Sequence, residues 1–273
     1  MGFLNRLFGK GSTRPEKNKK LNHLAFVLLS EARLPGAQEV AHALRDFAAL
    51  DENLEAEADD TEKDASNQVL SLKLTVGETA FVVLGPTPVP KGEADHYAQF
   101  SLSSFRNGWK LPPHCAHLVV AMTPAVPASP LVRLSRFTSL LAAVTKCSPA
   151  VGVYWNNAGA THDSEFFLEI ASRPGIVPRI MLWSGLSIAP EKEGRLSLLS
   201  LGMKQLDLPD ILVTADGSSA NTAAVTLFDL LSYVAERGEA LPEGDTVSEK
   251  RLPVHYVQSP IDSAKRVCRV ELP

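Results

Sequence analysis

The chain has 273 residues, of which 45% are hydrophobic and 21% charged, with a formal net charge of −4. That length and balance suit a globular chain with room for a sizeable core. An acidic balance gives no general attraction to a polyanion, so nucleic acid is excluded as an expected partner.

Residues 1–20 stand apart as a basic amphipathic arm. Phe3, Leu4, Leu7 and Phe8 would share one face of a short helix, while six cations and a single acid, Glu16, give a net +5. Such an arm can rest peripherally on an anionic membrane surface or dock on a protein groove. No apolar run reaches the roughly 20 residues of a spanning helix, and no secretory signal is legible at the N-terminus. The expected place is therefore the cytoplasm, with peripheral contact at the inner face of the membrane as one use of the arm and docking on its own domain as another. Residues 21–273 are expected to form a single α+β domain, or alternatively two sub-domains meeting near 100–116.

Past the arm, "LNHLAFVLLS" reads as a buried strand, and "PGAQEVAHALRDFAAL" as a helix with Val40, Leu44 and Phe47 on its apolar side. Residues 51–64 hold eight acids and one lysine and read as a solvated loop or helix extension. Two β-rich runs around Gly77 predict a hairpin, followed by the Pro-rich connection "GPTPVPKGEADHYA". "HLVVAMTP" is a second buried strand. It leads into a helix with Leu134, Phe137, Leu141 and Val144 on one face. Residues 23–50 and 117–144 thus share a strand–loop–helix order. "DILVTADGSSANTAAVTLFDLLSYVAERG" offers a third such unit, which suggests repeated β-loop-α units. In its helix, Val225, Leu227, Phe228 and Leu231 are the expected buried set. "DSEFFLEIAS" predicts a short helix capped by Asp163 or Ser164, and "IMLWSGLSIAP", "RLPVHYVQSP" and "KRVCRVELP" predict further strands. Because several neighbouring strands lack an intervening helix, the expected class is α+β, with a mixed, largely antiparallel sheet and helices packed on it.

Little of this looks like chemistry. Cys115, Cys147 and Cys268 are scattered, with no CxxC pair, and read as small packed hydrophobes in a reducing compartment. His114 and His117 flank Cys115, but no second cluster completes a metal site, so no metal and no cofactor are expected. "DGSSAN", residues 216–221, could cap a helix or hold an anion, yet it lacks the Walker spacing and lysine. "YWNNAGATHD" gathers Tyr154, Trp155, Asn156, Asn157 and His162 at a strand turn, a composition suited to contact with a ligand or partner.

In "LGMKQLDLPDILV", residues 201–213, the apolar parity changes twice. Gly202 permits the first change and Pro209 puts the second at a strand end. Asp207 and Asp210 bracket the proline and can cap local backbone donors. They are also candidate binding residues. This stretch, with "HLAFVLLSEARLPGAQEVAHALRDF" and "AVGVYWNNAGATHDSEFF", resembles a bacterial family known only as a domain of unknown function. Its signature looks like Gly-Met-x-x-Leu-x-Leu-Pro-Asp/Glu, matched by Gly202, Met203, Leu206, Leu208, Pro209 and Asp210. The resemblance implies no activity. Two functional expectations follow. One is a non-enzymatic, protein-binding protein, such as an immunity-type protein neutralising a toxin. The other is an enzyme or small-molecule binder with a cleft near Tyr154–Asp163 and Asp216–Asn221.

Overall fold

A computed structural model describes residues 23–47, 54–58, 69–123, 128–249 and 251–273. The arm, with Phe3, Leu4, Leu7 and Phe8, lies outside the described residues. The fold is α+β, as expected, but is built on two sheets.

The first sheet holds β1 (His23–Leu29), β2 (Ala56–Ala58), β3 (Val69–Leu74), β4 (Thr79–Gly85), β5 (Ala116–Thr123), β6 (Ala150–Trp155) and β7 (Ala160–Asp163). Their order is β2-β3-β4-β5-β1-β6-β7, and every pairing is antiparallel. The second sheet holds β8 (Gly185–Pro190), β9 (Arg195–Leu201), β10 (Ile211–Asp216), β11 (Thr246–Val247), β12 (Leu252–Gln258) and β13 (Arg266–Glu271), in the order β11-β12-β13-β10-β9-β8. Its one parallel pair, β10 with β13, makes it mixed.

Helices α1 (Ala37–Leu44), α4 (Pro130–Lys146), α5 (Ser164–Ala171), α6 (Ile176–Trp183) and α7 (Ala220–Arg237) pack in succession from the first sheet to the second. Two short helices, α2 (Ala94–Ala98) and α3 (Leu102–Asn107), lie in the segment between β4 and β5. The strand–loop–helix order appears at β1–α1, β5–α4 and β10–α7. The chain passes from one sheet to the other between Asp163 and Gly185, through α5 and α6; residues 100–116 run through α3 and its flanking loops to the first residue of β5.

α4 is the centre of the core. Ser129 caps it by accepting from the Val132 N–H (3.3 Å), and Pro130 occupies the first turn, where its missing donor costs nothing. Leu134, Phe137, Leu141 and Val144 are all buried. So are Thr138, Ser139 and Thr145, whose hydroxyls donate one turn back to Leu134, Ser135 and Leu141. Burying a hydroxyl is tolerable only with such a partner. Trp183 of α6 donates its indole N–H to Thr138 Oγ1 at 2.8 Å, tying α6 to α4.

Three local expectations are corrected. The apolar run "IMLWSGLSIAP" is not one strand: Ile180–Trp183 finish α6, and β8 begins at Gly185. A short buried run carries no periodicity that separates helix from strand. In α7, Leu227 and Leu231 are fully buried and Phe228 partly so, but Val225 is 61% exposed. The buried stripe runs through Ala223, Leu227, Leu230, Leu231 and Val234, and Val225 lies about 200° around the helix from Ala223. Within the acidic segment, Ala56–Ala58 form the edge strand β2, with Leu54 and Ala56 buried. Most of the remaining acids fall outside the described residues.

Candidate functional site

The two sheets meet along three glycines. Gly202 has φ 102°, and a Cβ there would stand 2.6 Å from the Asn157 carbonyl oxygen. A Cβ on Gly185 would stand 2.5 Å from the Gly159 oxygen, and one on Gly159 would stand 2.7 Å from Leu201 Cβ. No side chain fits between these backbones. The Leu186 N–H, donating to the Phe100 oxygen at 2.8 Å, adds a direct bond across the joint.

Above this joint opens a cleft of about 740 Å³. One wall comes from the first half: His96 and Tyr97 of α2, Phe100, and the turn Asn156, Asn157 and Gly159. The other comes from Ser187, the Leu201–Asp210 bend and the loop Ser259–Val267. That volume falls in the range of small-molecule sites.

The bend now has a structural account. β9 ends at Leu201, a 3-10 turn spans Met203–Leu206, and β10 begins at Ile211. Gly202 supplies the positive φ that opens the turn. Asp207, at φ 59°, closes it, its own N–H donating to the Lys204 oxygen at 3.1 Å. Asp210 performs the expected capping: its Oδ1 accepts from the Met203 N–H at 3.1 Å and from the Ser200 hydroxyl at 3.4 Å. Burial pushes the Asp210 carboxyl up, and these bonds oppose the rise.

The sequence candidates separate into two groups. Asn156, Asn157 and Asp210 line the cleft. Asp207 is exposed beside it and does not line it. Tyr154 is buried outside the cleft, stacked between Phe26 (5.6 Å) and Tyr97 (5.5 Å), and burial raises its hydroxyl to about 12. Trp155 is fully buried in the core against Phe137. His162 is fully buried too. Its Nε2–H donates to the Leu182 oxygen at 3.1 Å, which leaves Nδ1 to accept from the Ser101 hydroxyl at 3.1 Å. Burial lowers its pKa to about 4, so the ring is neutral and structural. Residues Asp216–Asn221, which run from the end of β10 through a 3-10 turn into α7, do not line the cleft; Asp216 accepts from the Ser218 N–H at 3.0 Å.

The remaining candidates have packing partners. His114 Nε2 accepts from the Val89 N–H at 3.1 Å, and the His117 Nδ1–H donates to the Thr87 oxygen at 2.7 Å. Among the described residues no group of three or more His, Cys, Asp or Glu side chains is placed to hold a metal. All three cysteines are free thiols; Cys147 and Cys268 are buried, which raises each to about 11, but Cys115, expected to be packed, is exposed, with its thiol donating to the Ser30 oxygen at 3.2 Å.

Sequence reasoning missed His96, Tyr97, Phe100, Lys204, Ile261, Lys265 and Arg266. His96 and Tyr97 sit in a five-residue helix at the end of what reads as a Pro-rich connection, and Phe100 follows it. The capping pattern at Ser101, which accepts from the Ser103 N–H at 3.2 Å, is the signal that marks structure there.

Residues 199–271 match the family model of a domain of unknown function, DUF4261. Gly202, Met203, Leu206, Leu208, Pro209 and Asp210 all fall within that stretch. So does every residue of the second wall except Ser187. No curated protein and no solved structure matches the chain.

Proposed function

We propose that this is a non-catalytic binding protein that holds a small organic ligand in the cleft between its sheets. The observation that carries this reading is the cleft itself: concave, of small-molecule size, and walled by both halves of the chain on a joint that no side chain could enter. Catalysis is not favoured by what lines it. Among the described residues, the lining serines, Ser187 and Ser259, make no hydrogen bond to a histidine or carboxylate, so no activated nucleophile is assembled. A second reading, a protein partner that inserts one side chain here, is favoured by Ile261, which is 62% exposed on the cleft lining.

Ser187→Trp would fill the cleft from β8 without touching the glycine joint. The full chain and this variant are equilibrated with a metabolite extract, and retained compounds are identified by mass spectrometry. The expected result is one or more compounds retained by the parent and lost in the variant. Identical retention profiles for two folded proteins would refute a small-molecule cleft.

A further inference from the structure

We propose that the cleft selects an aromatic organic anion, with its ring against Tyr97 and Phe100 and its negative group toward Lys204. This rests on the cleft being the binding site.

The ring surface is built before any ligand arrives. Tyr97 stacks on the buried Tyr154 at 5.5 Å, meets Phe100 edge-on at 6.2 Å, and His96 touches both Tyr97 (5.4 Å) and Phe100 (5.6 Å). Rings held by one another, with their planes steeply inclined, offer an aromatic wall whose ordering has already been completed by folding.

The charges on the opposite wall are not equivalent. Lys265 is paired with Asp262 at 3.0 Å. The Arg266 guanidinium lies over the Tyr256 ring, donates to the Tyr256 oxygen at 2.6 Å and stands 3.8 Å from Glu243. The Asp210 carboxylate is held by Met203 and Ser200. Lys204 is exposed and lines the cleft, and it has no carboxylate within ion-pair distance among the described residues. An anion entering here would give this ammonium a partner.

The test uses two probes of the same ring system on the full chain: 1-anilinonaphthalene-8-sulfonate, an anion, and N-phenyl-1-naphthylamine, which is neutral. At low salt the anion is expected to bind about ten-fold more tightly, and Lys204→Glu to weaken it by about ten-fold while leaving the neutral probe unchanged. Lys204→Arg should keep the preference. Equal affinity for both probes, or an equal loss of both in Lys204→Glu, would overturn the assignment of charge. If both probes bind equally and Ser187→Trp abolishes both, the cleft reading stands and only the anion preference fails. If neither probe binds, or neither responds to Ser187→Trp, both readings fall.

Discussion

Gly202→Ala tests the joint on which the site depends. At φ 102° an alanine carries a left-handed backbone penalty of about 1–2 kcal/mol. Its methyl would also stand 2.6 Å from the Asn157 oxygen and 2.8 Å from Ala158 Cα, backbone atoms that cannot swing away. Overpacking of this kind costs about 1–3 kcal/mol, so the expected loss is about 2–5 kcal/mol. Gly238 is the internal control. It ends α7 at φ 68°, and a Cβ there meets nothing within 4 Å. Gly238→Ala should therefore carry only the backbone penalty, about 1 kcal/mol. Urea denaturation followed by far-UV circular dichroism gives both values, provided the slopes match the parent's. Equal losses for the two variants would mean that the backbones at Gly202 and Asn157 are not in close contact, and the account of the joint would fail.

Other perturbations follow from the same contacts. Leu227→Ala should cost about 2–5 kcal/mol, Phe228→Ala less than a fully buried phenylalanine would, and Val225→Ala no more than about 0.5 kcal/mol, because only Leu227 is fully enclosed; the reverse ranking in urea melts would mean α7 presents another face. Asp210→Ala should cost about 1–3 kcal/mol by orphaning the Met203 N–H, whereas Asp210→Asn keeps an acceptor and loses little; faster hydrogen exchange at the Met203 amide in the alanine variant alone is the checking observation. His162 and His23 both have pKa values lowered to about 4 by burial, so the unfolded chain binds more protons than the folded one between about pH 6.5 and 4. Their contribution is therefore complete above pH 6.5 and fades as pH falls toward 4, by roughly 3 kcal/mol for each; His162→Gln should flatten that part of the stability curve, and an unchanged slope would contradict a neutral buried ring.

The parts legible in the sequence are those with a long period or a decisive residue. α4 declares itself through Leu134, Phe137, Leu141 and Val144. The hairpin declares itself through Gly77, at φ 80° between β3 and β4. The bend after β9 could be placed because glycine and proline each have one conformational meaning there. What stayed hidden has equally physical causes. α2 and α3 are five and six residues long, too short for two turns of apolar spacing to accumulate. The division into two sheets is invisible because a strand's sequence fixes which face is buried, not which sheet it joins. For the site, composition found Asn156, Asn157 and Asp210 but could not separate them from Trp155 and His162, which face the core from the same strand turn.

The division of the cleft between two halves also bears on the stretch that matches DUF4261. Residues 199–271 contain β10–β13 and α7 but begin near the end of β9 and omit β8. Without β8 the edge of β9 would stand unpaired, and unpaired edges are sticky. Without the Asn156–Gly159 turn, Gly202 would face no backbone, and its positive φ would serve only the bend. The second wall therefore contains the sequence features most easily recognised, while the ring surface that gives the cleft its shape lies more than a hundred residues earlier, at His96, Tyr97 and Phe100. A chain carrying only the matched stretch would hold Lys204 and Asp210 without the wall they face. It follows that ligand binding should depend on both halves: Phe100→Ala, outside the matched stretch, and Lys204→Glu, inside it, should each weaken the anionic probe. Only the first should also weaken the neutral one, because the ring contact is common to both probes and the charge is not.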